Sequence, residues 1–266
     1  FGWLGRVSDK IDPTVTPNFT INIDATQSLA VKAKNHVPVV FDDPARFTRK
    51  GLRQQRYLLN SLFPEGTSDN NNRRFLEDIS RGAKNASNKV KNAWAEYKSP
   101  IDYGIVPLDL PKIAALISYG LPTQVYYTSY RNNAFDTHVQ QNNLHQRLLT
   151  YVSDAVAGFC KDMKRIGRDK DVTLLIFSEF GRRVRENTSL GTDHGTANHM
   201  YVIGKRVNGG HYGVPPSLTN LDQEQNLAFT TDFRRVYATL IENWFGYQES
   251  ENILTKKYKA FPMFSI

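Results

Sequence analysis

The chain has 266 residues, 40% of them hydrophobic and 23% charged, with a formal net charge of +8. That length supports one large domain or two small ones with a sizeable core, and the composition excludes a disordered or fibrous chain. No apolar run approaches the roughly 18 residues of a membrane helix, and the single cysteine, Cys160, excludes an internal disulfide or a multi-cysteine metal site.

The opening FGWLGR is apolar at once and lacks a methionine. It reads as the middle of a domain whose leader lies upstream. Short β-type runs follow at 19–23 (FTINI) and 37–41 (VPVVF), punctuated by proline and Asp-Pro. Residues 48–63 carry a helical pattern ending before Pro64, 65–72 form a loop, and 73–98 form a polar helix. Its buried stripe is Phe75, Ile79, Val90, Trp94 and Tyr97. Residues 48–98 hold 11 Lys and Arg against 5 Asp and Glu, a net of +6. Such a patch suits a polyanion, but the basic residues mix with Asn, Ser and Gln and no nucleic-acid motif accompanies them. A solvated helical layer or insertion is the preferred reading, with no specific nucleic-acid partner.

Beyond Pro100 the pattern changes. Residues 111–119 form an apolar helix with Pro111 in its first turn and Gly120 past its end. TQVYYTSY at 123–130 is strand-like. An amphipathic helix over about 140–167 places Leu144, Leu148, Val152, Ala155, Val156, Phe159, Met163 and Ile166 on one face, with Cys160 as a small buried filler. VTLLIFS at 172–178 is continuously apolar, which predicts a central strand buried on both faces. MYVIG at 200–204 is another strand, and 230–246 a helix with a threonine cap and terminal glycine. Strand, long helix, strand predicts a parallel βαβ crossover. The expected fold class is α/β, a mainly parallel sheet flanked by helices on both faces, as one domain over 1–266 with its core at 101–250.

Ligands collect beyond the carboxyl ends of parallel strands. Asp136 and His138 follow the strand at 123–130, and Glu179 follows the strand at 172–178. The loop FGRRVRENTSLGTDHG then returns Asp193 and His194 towards the next strand. If the two strands are parallel neighbours, these residues share one sheet edge. Carboxylates with neutral imidazoles form an oxygen/nitrogen donor set for a divalent metal. Plainer roles compete. As lesser alternatives, Asp136 caps the following helix and Glu179 pairs with Arg182 or Arg183. Asp193 serves as a turn acid or as an orienter of an imidazole. Arg182 and Arg183 suit either an anionic substrate group or charge neutralisation within the protein. His145 reads as a helix-face histidine, His199 and His211 as strand-entry and loop residues, and His36 has no partner visible in the sequence.

FSEFGRR, GTDHG, FDTH and GWLGR together resemble the bacterial DUF1501 family, over essentially the whole chain. That family is related to the alkaline phosphatase and sulfatase superfamily, and its members are typically exported through the twin-arginine pathway. The resemblance implies an alkaline-phosphatase-like fold, a periplasmic or cell-surface location and hydrolysis of phosphate or sulfate esters, with an anionic small-molecule or polysaccharide ester as substrate. It implies a divalent metal (Zn, Mn, Mg or Ca) on Asp136, His138 and His194. Glu179 takes a second-metal or general-base role, Asp193 lies in the same metal site, and Arg182 clamps the anion. Phe180 stands where the superfamily usually has a second-metal histidine. The superfamily's nucleophile lies on a strand expected upstream of Phe1, so the chain as it stands reads as catalytically incomplete. The alternative is a non-enzymatic exported or cell-surface binding protein that keeps the fold and a structural metal.

Overall fold

The β-branched, apolar TINI run becomes the centre of a parallel sheet. In the computed structural model, which describes residues 1–47 and 85–265, strand β1 (Thr20–Ile23) lies between β2 (Val39–Phe41) and β3 (Val125–Thr128). Ile21 faces Val39 on one side and Tyr126 on the other. Every residue of β1 is buried, as a strand covered on both faces requires. The expectations over 48–84, including Phe75, Ile79 and most of the basic region, lie outside the described residues.

These three strands belong to the first of two compact units, Phe1–Lys98 with Lys112–Ser129. Helix α1 (Trp3–Ile11) buries Leu4, Val7 and Ser8, one face at helical spacing. The glycines of GWLGR explain its approach to the chain. A Cβ on Gly5 would stand 2.2 Å from the Lys32 carbonyl oxygen, so the helix packs directly on main chain. Helix α2 (85–96) buries Ala86, Val90 and Ala93, while Trp94 is only half-buried. Helix α3 (Leu110–Tyr119) presents Ile113, Ala114, Ala115 and Leu116 to the interior and stops at Gly120, whose φ of +81° favours glycine.

The second unit, Ser99–Pro111 with Tyr130–Ile266, holds helix α4 (Gln141–Arg165) and two small ribbons. Strand β4 (Thr173–Ile176) pairs antiparallel with β7 (Tyr201–Gly204), and β5 (Gly181–Arg182) with β6 (His194–Gly195). The predicted strands and long helix are present, but the parallel β3–β4 crossover is not. β3 joins β1, and β4 joins β7. A parallel partner needs a crossover, usually helical. The segment between β4 and β7 carries only loop and the β5–β6 ribbon, and so brings β7 back antiparallel. β4 is accordingly half-buried along its length rather than sealed on both faces.

Helix α4 buries Leu148, Ala155, Phe159 and Met163, but Leu144 near its start is exposed. Its apolar face also buries Asp162, satisfied by Tyr103 Oη at 2.6 Å and Arg165 Nε at 2.7 Å. Cys160 is half-buried, and burial pushes its thiol pKa up. The 230–246 helix is split into helix α5 (Arg234–Thr239) and a π-helical turn, Leu240–Trp244. No threonine caps it. Phe233 holds the cap position, and the Asp232 carboxylate accepts from the Arg234 amide at 2.9 Å. Helix α6 (Glu251–Leu254) buries Ile253 and Leu254.

His36, partnerless in the sequence, is the buried hinge pin of the first unit. Its Nδ1 lies 3.1 Å from Asp9 and its Nε2 3.1 Å from Asp12. Asp9 also accepts from the amides of Lys34, Asn35 and His36, tying α1 to the segment before β2. Burial pushes both carboxyls up, but the hydrogen bonds more than offset it and leave both below the usual range. Groups with depressed folded pKa values stabilise above their unfolded value, about 4, and lose that contribution as pH falls through the folded value. We therefore expect Asp12→Asn to cost about 1–3 kcal/mol at pH 6. The gap from wild type in urea midpoint should shrink as pH falls below about 4. His36→Ala should lower the midpoint at pH 6 by a comparable free energy, about 1–3 kcal/mol. A His36→Ala midpoint equal to wild type would contradict the tie.

Candidate metal centre

The site is assembled from two loops of the second unit. One is residues 135–140, leading into α4. The other is the ribbon β5–β6 with its connecting loop. Register places Arg182 directly across from His194. The Arg182 guanidinium donates to the Thr192 carbonyl at 2.7 Å and also to the Phe135 carbonyl, so one cation joins both loops. Gln141 and Thr192 bond side chain to side chain at 2.7 Å, and Gln141 also donates to the Thr137 carbonyl. Asn187 Nδ2 donates to the His138 carbonyl at 3.1 Å and to Asp193 Oδ1 at 3.2 Å. Gly191 lies so close to the first loop that a Cβ would stand 2.2 Å from the His138 carbonyl oxygen.

This lacing decides two competing readings. Helix α4 begins at Gln141, its cap residue is Gln140 in the left-handed conformation, and no side chain caps it. The amides of Gln140 and Gln141 are taken by the carbonyls of Ser189 and Leu190. Asp136 is therefore free of the capping role. Glu179 forms no ion pair with Arg182 or Arg183 among the described residues. It is exposed beyond β4.

Asp136, His138 and His194 converge. Asp136 Oδ1 lies 2.9 Å from His138 Nε2 and 2.7 Å from His194 Nε2, and the two nitrogens are 3.1 Å apart. These three are the metal-competent group of acids and imidazoles among the described residues. Hydrogen bonds from the His194 and His138 rings hold the Asp136 carboxyl below its usual range. A four-coordinate ion about 2.0–2.1 Å from its ligands sets them about 3.3 Å apart, so these atoms need only a small spread to fit. Asp193 stands outside the trio and faces the far nitrogen of His138, Nδ1, at 3.5 Å. With an ion bound at Nε2, a carboxylate there would favour the tautomer that carries its proton on Nδ1. Hydrogen bonding from Asn187 and from His138 keeps Asp193 below the ordinary carboxylate range, against burial.

The remaining candidates fall elsewhere. Burial lowers the Arg182 pKa while Asp136 and Asp193 act to raise it, and its donors serve main-chain carbonyls. Arg183 is exposed, and its charge helps to lower the Asp193 pKa. His145 packs edge-on against Phe135 at 5.5 Å, its Nδ1 buried without a hydrogen-bond partner among the described residues, and burial with the Arg182 charge lowers its pKa. His199 packs on Tyr201, and His211 is exposed. Sequence reasoning missed Asn187, Gln141 and Thr192, the polar residues that lace the loops. Their only sequence signal is position, since Asn and Gln are common in any loop or helix start.

No curated protein and no solved structure matches the chain. A family match does cover residues 115–256, which include the whole candidate centre and more than half of the sequence. On that match the chain belongs to the DUF1501 family, described as proteins of unknown function.

Proposed function

We propose that this protein is a metal-dependent hydrolase of phosphate or sulfate esters, with one divalent ion held by Asp136, His138 and His194. The observation that carries the reading is an open three-donor centre. Its side chains remain 40–42% exposed. Structural zinc sites close themselves with four protein ligands, whereas catalytic sites keep three and leave a position open. Two imidazoles and one carboxylate favour zinc or manganese over the all-oxygen preference of magnesium or calcium.

When bound, such an ion supplies Lewis-acid polarisation of the ester oxygen. The protein's own part is orientation and charge. Asp193 fixes the His138 tautomer, and Arg182 holds the two loops in register while contributing positive charge beside an anionic substrate. Glu179, next to Phe180 and open to solvent, is the carboxylate assigned to accept a proton from the attacking group. The proposal includes kinship with the alkaline phosphatase and sulfatase superfamily and a periplasmic or cell-surface location, both resting on the FSEFGRR, GTDHG and FDTH motifs. The competing reading, an exported binding protein with a structural metal, draws on the solvent-exposed position of Glu179 outside the trio.

Elemental analysis of the purified full-length protein should find about one tightly held ion per chain, as expected for a single three-ligand centre. Asp136→Ala and His194→Ala should each abolish it. An ion retained in both variants would overturn the site. On a panel of aromatic phosphate and sulfate esters, turnover should require the ion and fall about 100-fold or more in Glu179→Gln. A protein that holds the ion but turns over no ester supports the binding-protein reading instead.

A further inference from the structure

The two imidazoles of the trio are oriented in different ways. His138 has the Asp193 carboxylate 3.5 Å from its far nitrogen, Nδ1. His194 has no hydrogen bond at Nδ1 among the described residues. Both of its recorded hydrogen bonds involve Nε2. Ligating histidines are almost always oriented through the nitrogen that does not bind metal. Among the described residues, no protein group orients His194 through Nδ1.

Phe180 lies flat against it. The two ring centroids are 3.7 Å apart and the planes differ by 12°. Turning the imidazole about its Cβ–Cγ bond would drive its edge into the phenyl face, so the stack restricts one of the two torsions that aim Nε2. The phenyl ring is anchored in turn. The Phe180 carbonyl accepts from Ser178 Oγ at 3.0 Å and from Asn198 Nδ2 at 2.8 Å, and Asn198 also holds the Ser178 carbonyl at 3.1 Å. The next residue, Gly181, packs directly on main chain, since a Cβ there would meet the Ala197 carbonyl oxygen at 1.8 Å. The Arg182 guanidinium carbon is 5.0 Å from the phenyl centroid, a further contact on the ring.

We infer that Phe180 is a positioning residue, which holds the His194 imidazole in the plane that points Nε2 at Asp136 and His138. The inference rests on the metal reading above. It assigns a function to a side chain that offers no ligand atom.

The test is cobalt(II) titration of the full-length protein, read by visible d–d absorption, for wild type, Phe180→Tyr, Phe180→Leu, Phe180→Ala and His194→Ala. Phe180→Tyr keeps the stacking face and should match wild type in affinity and band shape. Phe180→Leu keeps apolar bulk without the flat face, and should bind about 10-fold more weakly with altered bands. Phe180→Ala should behave at least as poorly. Circular dichroism on the same samples separates a folded, weak binder from an unfolded one, and Phe180→Leu supplies the decisive comparison if Phe180→Ala does not fold. Wild-type affinity and spectrum in Phe180→Leu would overturn the positioning role and leave the metal centre standing. Absence of His194-dependent cobalt absorption in wild type would overturn the metal reading, and the positioning role with it.

Discussion

The Arg182 guanidinium joins two stretches of chain through the carbonyls of Phe135 and Thr192, which are 57 residues apart in sequence. It donates to the Phe135 carbonyl from one loop and the Thr192 carbonyl from the other. Main-chain carbonyls cannot rotate away from a donor as side chains can, so a planar fork between them fixes loop against loop. Asp136 and His138 on one side, and His194 on the other, inherit their separation from that fork. The surrounding bonds of Gln141, Thr192 and Asn187 close the same gap at other points. A residue that reads as an anion clamp in the sequence thus acts first on the protein's own backbone.

The first unit solves a similar problem with charge. Asp9 gathers three successive amides and one imidazole nitrogen, while Asp12 takes the other nitrogen. A buried imidazole between two carboxylates is costly unless every polar atom is matched, and here both ring nitrogens are. Close packing of α1 through Gly5 onto the Lys32 carbonyl brings the partners within reach. GWLGR is therefore a packing motif, because a side chain at either glycine would push the helix off the chain beneath it.

Local patterns were legible where they depend on local physics. FTINI, VPVVF, VYYT, TLLI and YVIG all form strands, and the apolar period between 140 and 167 forms a single helix. Strand partners were not legible, because the apolar character of a run does not say which edge it meets. β3 and β4 were expected side by side and instead belong to different sheets. The convergence of Asp136, His138 and His194 was read from strand-end placement, yet the two loops meet through hydrogen bonds to carbonyls, not through a shared sheet edge. The trio was therefore anticipated from a premise that the topology does not support. Glu179, expected at that edge and in a second-metal or general-base role by resemblance, stays outside the group of three.

The stack of Phe180 on His194 bears on how many ions such a centre takes. A second ion needs donor atoms beside the first, and two-metal sites place their ions roughly 3.5–4 Å apart. The phenyl face already lies 3.7 Å from the imidazole centroid. Phe180 offers no donor atom beside His194, and Glu179, its neighbour in sequence, is exposed. On the proposed function, a single ion held by Asp136, His138 and His194 would supply charge stabilisation on one side of the displacement only. Charge developing on the departing oxygen must be met by protonation or by cationic side chains. Arg183 is exposed at the mouth of the β5–β6 ribbon, while Arg182 is fastened to carbonyls. Esters whose leaving groups are already acidic make the least demand on such a centre, and these are the substrates that a single-ion geometry favours.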